Sequence, residues 1–278
     1  MAGALCLGTP AVAQDAGAPA GPPAGESVFD GDYLTLGVGA AYVPSYDGSD
    51  DYVISVLPMI QGSLGGVGIS PRAGGLALDF IPDRPGAKAN FSFGPAARLR
   101  MSRVNQIKDD VVELLPHLDP AVEIGPSAGV SFPGVFNPYD SLSFAVDARW
   151  DVAGAHNGMV VGPSLSYMTP LSTGVAAILS VGGEWADDDF MDYYYSIDAE
   201  AAAITGLDQF QAGSGFRSVG ATLLLGWDLD NDIRNGGLAL FFLGGYSKLL
   251  GDAADTPFTR DRGSADQWMA GAGIAYTF

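Results

Sequence analysis

Apolar and polar residues alternate along most of the chain after Gly31. In the segment 34–42 every second residue is apolar, and the residues between them are small or polar. The segments 91–101 and 142–152 repeat this pattern. A two-residue period is that of a β-strand with one apolar face, and about nine to eleven such residues cross a bilayer at a tilt. The pattern therefore predicts amphipathic, membrane-spanning strands.

Further segments of this kind bring the predicted number of strands to about twelve, with ten as an alternative. They lie at 51–62, 120–132, 158–168, 174–185, 215–228, 236–248 and 267–278, with two shorter strands in 65–81. The short connections are at 63–64, 82–88, 133–140, 169–173 and 229–235, and the longer ones at 44–50, 103–119, 186–214 and 249–266. Short turns on one side and longer loops on the other are typical of outer-membrane barrels.

The predicted fold class is all-β, a closed antiparallel transmembrane β-barrel. Closure leaves no unpaired strand edge in lipid, where such an edge is costly. A soluble β-sandwich also has alternating strands and is the competing structure. Aromatic residues near the predicted strand ends, such as Trp150, Trp227 and Trp268, favour the interfacial girdles of a membrane barrel.

The two ends of the chain carry targeting signals. Residues 1–13 are small and apolar and end in Ala11-Val12-Ala13, the form of a secretory cleavage site, so we predict a signal peptide that is truncated at its N-terminus. Residues 14–30 read as a flexible periplasmic linker, and 31–278 as the barrel. The terminal residues resemble the signal by which barrels reach their assembly machinery: Ile274, Tyr276 and Phe278.

Composition and charge exclude several classes of fold, partner and site. The 39 Gly and 18 Pro among 278 residues disfavour a helical protein, because both weaken helix interiors. A net charge of −19 repels phosphate backbones, which excludes nucleic acid as a partner. A single cysteine, Cys6, and two histidines do not supply a Cys/His zinc site. We predict no cofactor and no metal site.

Charged residues occupy positions that the alternation turns away from lipid. The predicted lumen receives Arg98, Arg100, Glu123, Asp147, Arg149, Asp151 and Glu184. Charges in a confined interior are costly unless they are paired. We therefore predict a network of ion pairs that keeps the lumen largely closed, with the polar lining of a pore as the alternative.

Two blocks of sequence resemble the MipA/OmpV family. The first runs from 37 to 52, and its motif comprises Tyr46, Asp47, Gly48, Ser49, Asp50, Asp51 and Tyr52. The second resembles the family's long central loop and includes Trp185, Asp187, Asp188, Asp189 and Tyr193. We expect both blocks to be solvated, acidic loops, with cations shared with lipopolysaccharide phosphates as a less favoured alternative.

The resemblance implies a barrel of the bacterial outer membrane, in contact with its lipid and lipopolysaccharide. It also implies a scaffold that binds a murein lytic transglycosylase and bridges it to a murein synthase. The family has no catalytic motif to transfer, so no enzyme is predicted. A small outer-membrane channel is the alternative function.

A hydrolase at the barrel rim is the least favoured function. Ser127 lies in a G-x-S-x-G sequence, which in some hydrolases is a strand-to-helix turn that exposes the serine. Here strand and turn patterns follow it instead of a helix. His117 and His156 both fall in predicted loops, where we expect surface histidines.

Overall fold

The computed structural model describes residues 27–84 and 86–278. It is one closed barrel of twelve antiparallel strands, in which each strand pairs with its sequence neighbours and β1 pairs with β12. The strands are β1 (Tyr33–Pro44), β2 (Tyr52–Leu64), β3 (Val67–Arg72), β4 (Gly75–Asp79), β5 (Asn90–Arg100), β6 (Ala121–Pro133), β7 (Ser141–Asp151), β8 (Met159–Pro170), β9 (Val175–Ala186), β10 (Gly215–Asp228), β11 (Gly237–Leu249) and β12 (Asp266–Thr277). The predicted fold class is confirmed, with twelve strands and not ten.

The connections differ at the two ends of the barrel. The turn end carries the start of β1, the end of β12 and the connections 65–66, 80–89, 134–140, 171–174 and 229–236. The loop end carries the connections 45–51, 73–74, 101–120, 152–158, 187–214 and 250–265. The longest connections therefore all lie at the loop end, as the spacing of the alternating segments predicts.

The predicted signal peptide, 1–13, and most of the predicted linker, 14–30, lie outside the described residues. The last residues of that linker form a short 3-10 turn, Val28–Asp30, which Ser27 caps by accepting a hydrogen bond from the amide of Phe29. The amide of Val28 donates to the carbonyl of Arg234 over 2.7 Å. This turn is therefore fixed to the connection between β10 and β11.

α-Helices occur in two of the long loop-end connections, 187–214 and 250–265. They are α1 (Asp188–Tyr195), α2 (Ala199–Thr205), α3 (Asp252–Asp255) and α4 (Pro257–Arg260). Within the described part of the chain, no helix has the length and apolarity needed to cross a membrane. We call the loop-end connections and these helices the cap, because their buried side chains pack together over the mouth: Tyr46, Ile107, Val112, Leu115, Phe190, Met191, Tyr194, Tyr195, Ile197 and Phe258.

The outer face of the barrel carries the apolar half of the alternating pattern. Val38 is 54% exposed and Phe91 is 64% exposed. The same holds on every long strand, as in Leu99, Ile124, Phe144, Leu165, Val181, Leu223, Phe242 and Ile274. An apolar belt of this extent requires lipid around it, since a water-soluble surface exposes much smaller patches.

The β3–β4 hairpin is shorter than the rest of the wall. These strands have six and five residues, whereas the others have eleven to fourteen. β3 pairs with β2 only at Gly62, Ser63 and Leu64, and β4 pairs with β5 only along 96–98. β3 therefore meets β2 near the turn end, whereas β4 meets β5 near the loop end, where the amide of Leu99 also donates to the carbonyl of Gly74 over 2.9 Å.

Candidate functional site

A layer of ion pairs crosses the lumen near the loop end, and Glu184 of β9 lies at its centre. Its carboxylate accepts from Arg98 over 2.5 Å, from Arg100 over 2.9 Å and from Arg149 over 3.5 Å. Arg217 of β10 donates to the same carboxylate. One acidic side chain thus joins four arginines from three other strands, β5, β7 and β10.

Glu123 of β6 is the second centre and is fully buried. Arg100 Nε donates to its Oε1 over 2.7 Å, and Arg149 Nε donates to its Oε2 over 3.3 Å. Arg100 and Arg149 therefore connect the two glutamates. Because every partner is charged and the site is largely dry, removing one carboxylate leaves buried guanidinium groups unpaired.

Two aspartates extend the layer to its edges. Asp147 of β7 accepts from Arg149 over 3.2 Å and from Arg72, at the end of β3, over 3.0 Å. Asp47, in the connection between β1 and β2, lies 3.1 Å from Arg217 and 3.6 Å from Arg100. We call these nine residues the charged layer: Asp47, Arg72, Arg98, Arg100, Glu123, Asp147, Arg149, Glu184 and Arg217.

Strand pairing explains how residues distant in sequence meet. Arg98 lies directly opposite Glu123 in the β5–β6 pair. Glu184 lies opposite Ser218 in the β9–β10 pair, where a register shift between Phe216 and Ser218 leaves Arg217 unpaired in the ladder and buried. Such a bulge redirects a side chain, and here Arg217 contacts Glu184.

Six of the seven predicted lumen charges belong to the charged layer, and Asp151 does not. Its carboxylate accepts from the amides of Ala153, His156 and Asn157 over 2.9, 2.9 and 3.1 Å. Asp151 therefore holds the connection between β7 and β8 and forms no ion pair with an arginine of the layer. Asp151 is the last residue of β7, opposite Glu123, and the amides of the following connection occupy its carboxylate.

The structure adds three members that the sequence did not assign. Arg72 lies in the predicted segment 65–81, Asp47 lies in a predicted solvated loop, and the alternation does not single out Arg217. The alternation identifies inward positions within regular strands, so a bulge and two loop-end positions escape it. The sequence offers one hint for Arg217: it is a charged residue inside a predicted strand, next to the apolar Phe216.

The cap packs directly on the charged layer. The guanidinium carbon of Arg100 lies 4.7 Å from the ring centroid of Phe190, and that of Arg217 lies 5.4 Å from it. Arg217 Nη1 also donates to the hydroxyl of Tyr195 over 2.9 Å. Burial raises the pKa of Tyr195 to about 12, although Arg217 opposes this. Helix α1 therefore covers the ion pairs with aromatic rings and excludes water from them.

A further arginine lies inside the cap. Arg103 Nη1 donates to the carbonyl of Tyr194 over 3.1 Å, and its guanidinium lies 4.4 Å from the ring centroid of Phe258. Burial lowers the pKa of Arg103 to about 10. This cation fastens helix α1 to α4 and to the connection between β5 and β6.

His156 is buried, so the expectation of a surface residue is wrong for it. Its ring centroid lies 4.9 Å from that of Phe190, and its Nε2 lies 3.5 Å from Glu123. Its Nδ1 accepts from the amide of Gly158 over 3.0 Å. His117 is exposed, as expected. Ser127 lies in the middle of β6 and is not at a strand-to-helix turn.

The first family block closes over the mouth of the barrel. Ser49 is fully buried, and its carbonyl accepts from the side chain of Gln267 on β12 over 3.0 Å. Gly48 has a φ of 102° and lies against Thr259 of α4, so a side chain would be strained there. Tyr46 is buried in the cap, while Asp50 and Asp51 are exposed. The amide of Trp268 donates to the hydroxyl of Tyr52 over 3.0 Å.

The second family block forms the start of α1. Asp187 is its N-cap, accepting from the amides of Phe190 and Met159 over 3.1 and 2.7 Å. Asp188 accepts from the amide of Ser214, and Asp189 is exposed. Trp185 is half-buried at the end of β9, and the hydroxyl of Tyr193 accepts from the amide of Asp119 over 2.9 Å. Two of these acidic residues thus shape the cap.

The lumen at the turn end is lined by small and hydroxyl-bearing side chains. Ser143 donates to Ser131 over 3.0 Å, and the hydroxyls of Ser166 and Ser180 are 2.8 Å apart. Among the described residues, no group of three or more His, Cys, Asp or Glu side chains is arranged to hold a metal ion. The terminal Ile274, Tyr276 and Phe278 all face outward and are 51%, 47% and 65% exposed.

The family model described as "MltA-interacting protein MipA" matches residues 36–278. The chain belongs to this family. Membership and the twelve-strand barrel together make it an outer-membrane barrel protein. No curated protein sequence matches the chain.

Two solved structures match the chain over most of its length at low similarity. An outer membrane channel from Pseudomonas putida F1 is 14% identical with a TM-score of 0.44, covering 93% of this chain and 100% of that chain. OccK11 (OpdR) of Pseudomonas aeruginosa is 11% identical with a TM-score of 0.27, covering 91% of this chain and 97% of that chain. Similarity at this level does not bear on function.

Proposed function

We propose that this protein is a non-catalytic scaffold of the outer membrane, which binds enzymes of murein metabolism at the turn end of its barrel. The closed lumen is the observation that carries the proposal. Glu123, Arg100 and Arg149 are at most 5% exposed, and α1 lies directly over them. A barrel filled in this way offers its surfaces, and not a passage, to other molecules.

The family name supplies the class of partner. A protein of the MltA-interacting family would bind a murein lytic transglycosylase, and a murein synthase is the second partner that we propose. Short turns of outer-membrane barrels face the periplasm, where murein lies. The turn end is therefore the docking face in this proposal.

Exposed apolar side chains are present at that face. Phe136 is 77% exposed and Tyr139 is 52% exposed in the connection 134–140, and Phe80 is 55% exposed in the connection 80–89. Aromatic residues are the commonest anchors of protein interfaces. The connections are short and provide less than the about 800 Å² per partner of a standard interface, so we expect a weak contact or one shared between two partners.

Binding of a purified lytic transglycosylase of the MltA type to the full-length barrel in nanodiscs tests this proposal. We expect retention above that on an unrelated barrel. Phe136→Ser should weaken binding by about tenfold or more. The matched control is Leu114→Ser, which changes a residue 59% exposed in the cap and should leave binding unchanged. Retention equal to that of the unrelated barrel, or equal losses in both variants, would contradict the proposal.

A small channel is the second candidate, and the hydroxyl-lined lumen at the turn end is the observation that favours it. Conductance in planar bilayers separates the two functions. The charged layer leads us to expect no stable currents from the purified protein. Large, stable currents, together with solute uptake that depends on this protein, would favour the channel.

A further inference from the structure

Aromatic side chains are concentrated on one side of the loop end. Six neighbouring strands, from β9 through β12 to β1 and β2, each carry an outward-facing aromatic residue there, and they are contiguous because β12 pairs with β1. We call these residues the aromatic arc: Trp185, Phe216, Tyr246, Trp268, Tyr42 and Tyr52. On the other side, β3 to β8, the loop-end strand positions that the structure describes carry one outward aromatic residue, Trp150.

Contacts join the four central rings of the arc into one surface. Tyr246 and Trp268 lie opposite each other in the β11–β12 pair, and their ring centroids are 4.7 Å apart. The rings of Tyr42 and Tyr52 stack, with centroids 5.0 Å apart. The Tyr52 hydroxyl accepts from the amide of Trp268 over 3.0 Å, which connects the two pairs. Because Tyr42 and Trp268 are 54% and 61% exposed, this surface is accessible from outside the barrel.

A lysine lies beside the arc on its water side. Lys248 follows Tyr246 by two residues on the outward face of β11, one step nearer the loop end. Among the described strands it is the one outward-facing cation, since the five strand arginines all belong to the charged layer. Its Nζ lies 3.7 Å from Asp266, which also accepts from the Tyr246 hydroxyl. Both members of this ion pair are 52% exposed, so the ammonium keeps donors for a second anion.

The one-sided distribution of the arc distinguishes it from an ordinary interfacial girdle. Lipid surrounds the whole barrel, so a girdle that responds only to the medium carries aromatic residues on all sides. Here six of the twelve strands carry the arc, and the other six carry one residue of this kind. A ligand that binds on one side accounts for this difference, whereas the bilayer as a uniform medium does not.

The position and chemistry of the arc define the ligand. The longer loops of outer-membrane barrels face outward, so the arc lies at the headgroups of the outer leaflet. Tyr and Trp rings offer an apolar face together with a polar group, which suits the faces and hydroxyls of sugar rings. The ammonium of a lysine binds phosphate as a point charge. Sugar rings and phosphate occur together in the headgroup of a phosphorylated glycolipid.

We propose that the aromatic arc and Lys248 form a binding site for a phosphorylated glycolipid of the outer leaflet, of the lipid A type. Its sugar rings pack on Trp268 and Tyr42, and one phosphate contacts Lys248. Asp266 is a positioning residue, because it holds Tyr246 and Lys248 together. The site depends on the orientation of the barrel and is independent of the partner proposed for the turn end.

Native mass spectrometry of the full-length protein tests the site. The protein is released from mixed micelles that contain lipid A bisphosphate and phosphatidylglycerol in equal amounts, and we expect it to retain lipid A in preference. Trp268→Leu and Lys248→Gln should each reduce the retained lipid A several-fold. The matched control is Trp150→Leu, which removes a tryptophan 45% exposed from the other side of the same rim and should leave retention unchanged. Lipid A without phosphates should be retained less, and equally by the parent and Lys248→Gln.

Equal losses in Trp150→Leu and Trp268→Leu would overturn the proposal, because they would show an ordinary girdle. Equal retention of phosphatidylglycerol and lipid A by the parent would also overturn it, as would full retention of lipid A by Lys248→Gln. A heat-modifiable band shows that each variant is folded. If Trp268→Leu does not fold, Tyr42→Leu takes its place, since Tyr42 is also exposed and belongs to the same surface.

Discussion

Glu184 and Ser180 point into the barrel from the same face of β9, yet they have different surroundings. Glu184 contacts four arginines beneath the cap. Ser180 shares a single hydrogen bond with Ser166. The loop end of the lumen is thus filled by large charged groups that require one another, and the turn end is lined by small groups that are satisfied locally.

The comparison separates two ways of building a barrel interior. Neutral hydroxyls tolerate water or a neighbouring strand as partner, so each position at the turn end is nearly independent. A buried charge is destabilising when its partner is removed or replaced by a group of the wrong charge, so the energies of these residues are coupled. We therefore expect substitutions at the loop end to cost more than equivalent ones at the turn end.

The largest effect is expected for Glu184→Ala, because it leaves four guanidinium groups short of a partner. We expect the free energy of unfolding to fall by about 3–5 kcal/mol. Ser180→Ala, on the same strand and face, should cost less than about 1 kcal/mol. Urea unfolding in detergent micelles, followed by tryptophan fluorescence, measures both. Equal losses would show that the two halves do not differ.

Removal of an aromatic ring of the cap comes next. Phe190 is fully buried over Arg100 and Arg217, so Phe190→Ala should cost about 3 kcal/mol and admit water to the charged layer. Asp189→Ala, at the exposed neighbouring position, should be within about 0.5 kcal/mol of the parent. Unfolding in urea gives both values. An unchanged free energy of unfolding for Phe190→Ala would mean that the cap does not stabilise the charged layer.

A smaller effect is expected for Asp151→Ala, which sharpens the boundary of the charged layer. Asp151 binds backbone amides and no arginine of the layer, so its loss should cost about 1 kcal/mol. Hydrogen exchange should rise in the connection 152–158 and stay unchanged at the Glu184 side of the barrel. A loss as large as that of Glu184→Ala would place Asp151 in the layer.

The smallest effect is a local response to acid at the turn end. Burial acts to raise the pKa of Asp140, but hydrogen bonds from the Tyr167 hydroxyl and from the amides of 135–137 hold it below its usual range. A lowered pKa stabilises the turn above the unfolded value, about 3.9, and this contribution disappears as the pH falls through the folded pKa. Protection of the connection 134–140 against hydrogen exchange, relative to the intrinsic exchange rate at each pH, should therefore fall in acid. Asp140→Asn should remove that pH dependence, and an unchanged dependence would contradict this assignment.

The strands could be predicted from the sequence because lipid imposes a simple rule on them. The predicted segment 215–228 has the bounds of β10, and the predicted segment 142–152 is shifted by one residue from β7, which runs from Ser141 to Asp151. Outward positions must be apolar, and connections must leave the bilayer. The alternation along each strand and the lipid environment are together sufficient to predict the strands. The twelve-strand barrel and six inward charges therefore follow from the residues alone.

Tertiary structure decided which charges meet. Asp47 joins the charged layer because its loop folds over the lumen, and Arg72 joins it because its side chain reaches across to Asp147. Arg217 joins it through a bulge. His156 is buried because α1, more than thirty residues away in sequence, packs against it. The alternation determines which side of a strand a residue occupies. Contacts among the long loops, which have no period, determine what closes the mouth, and only the folded chain shows them.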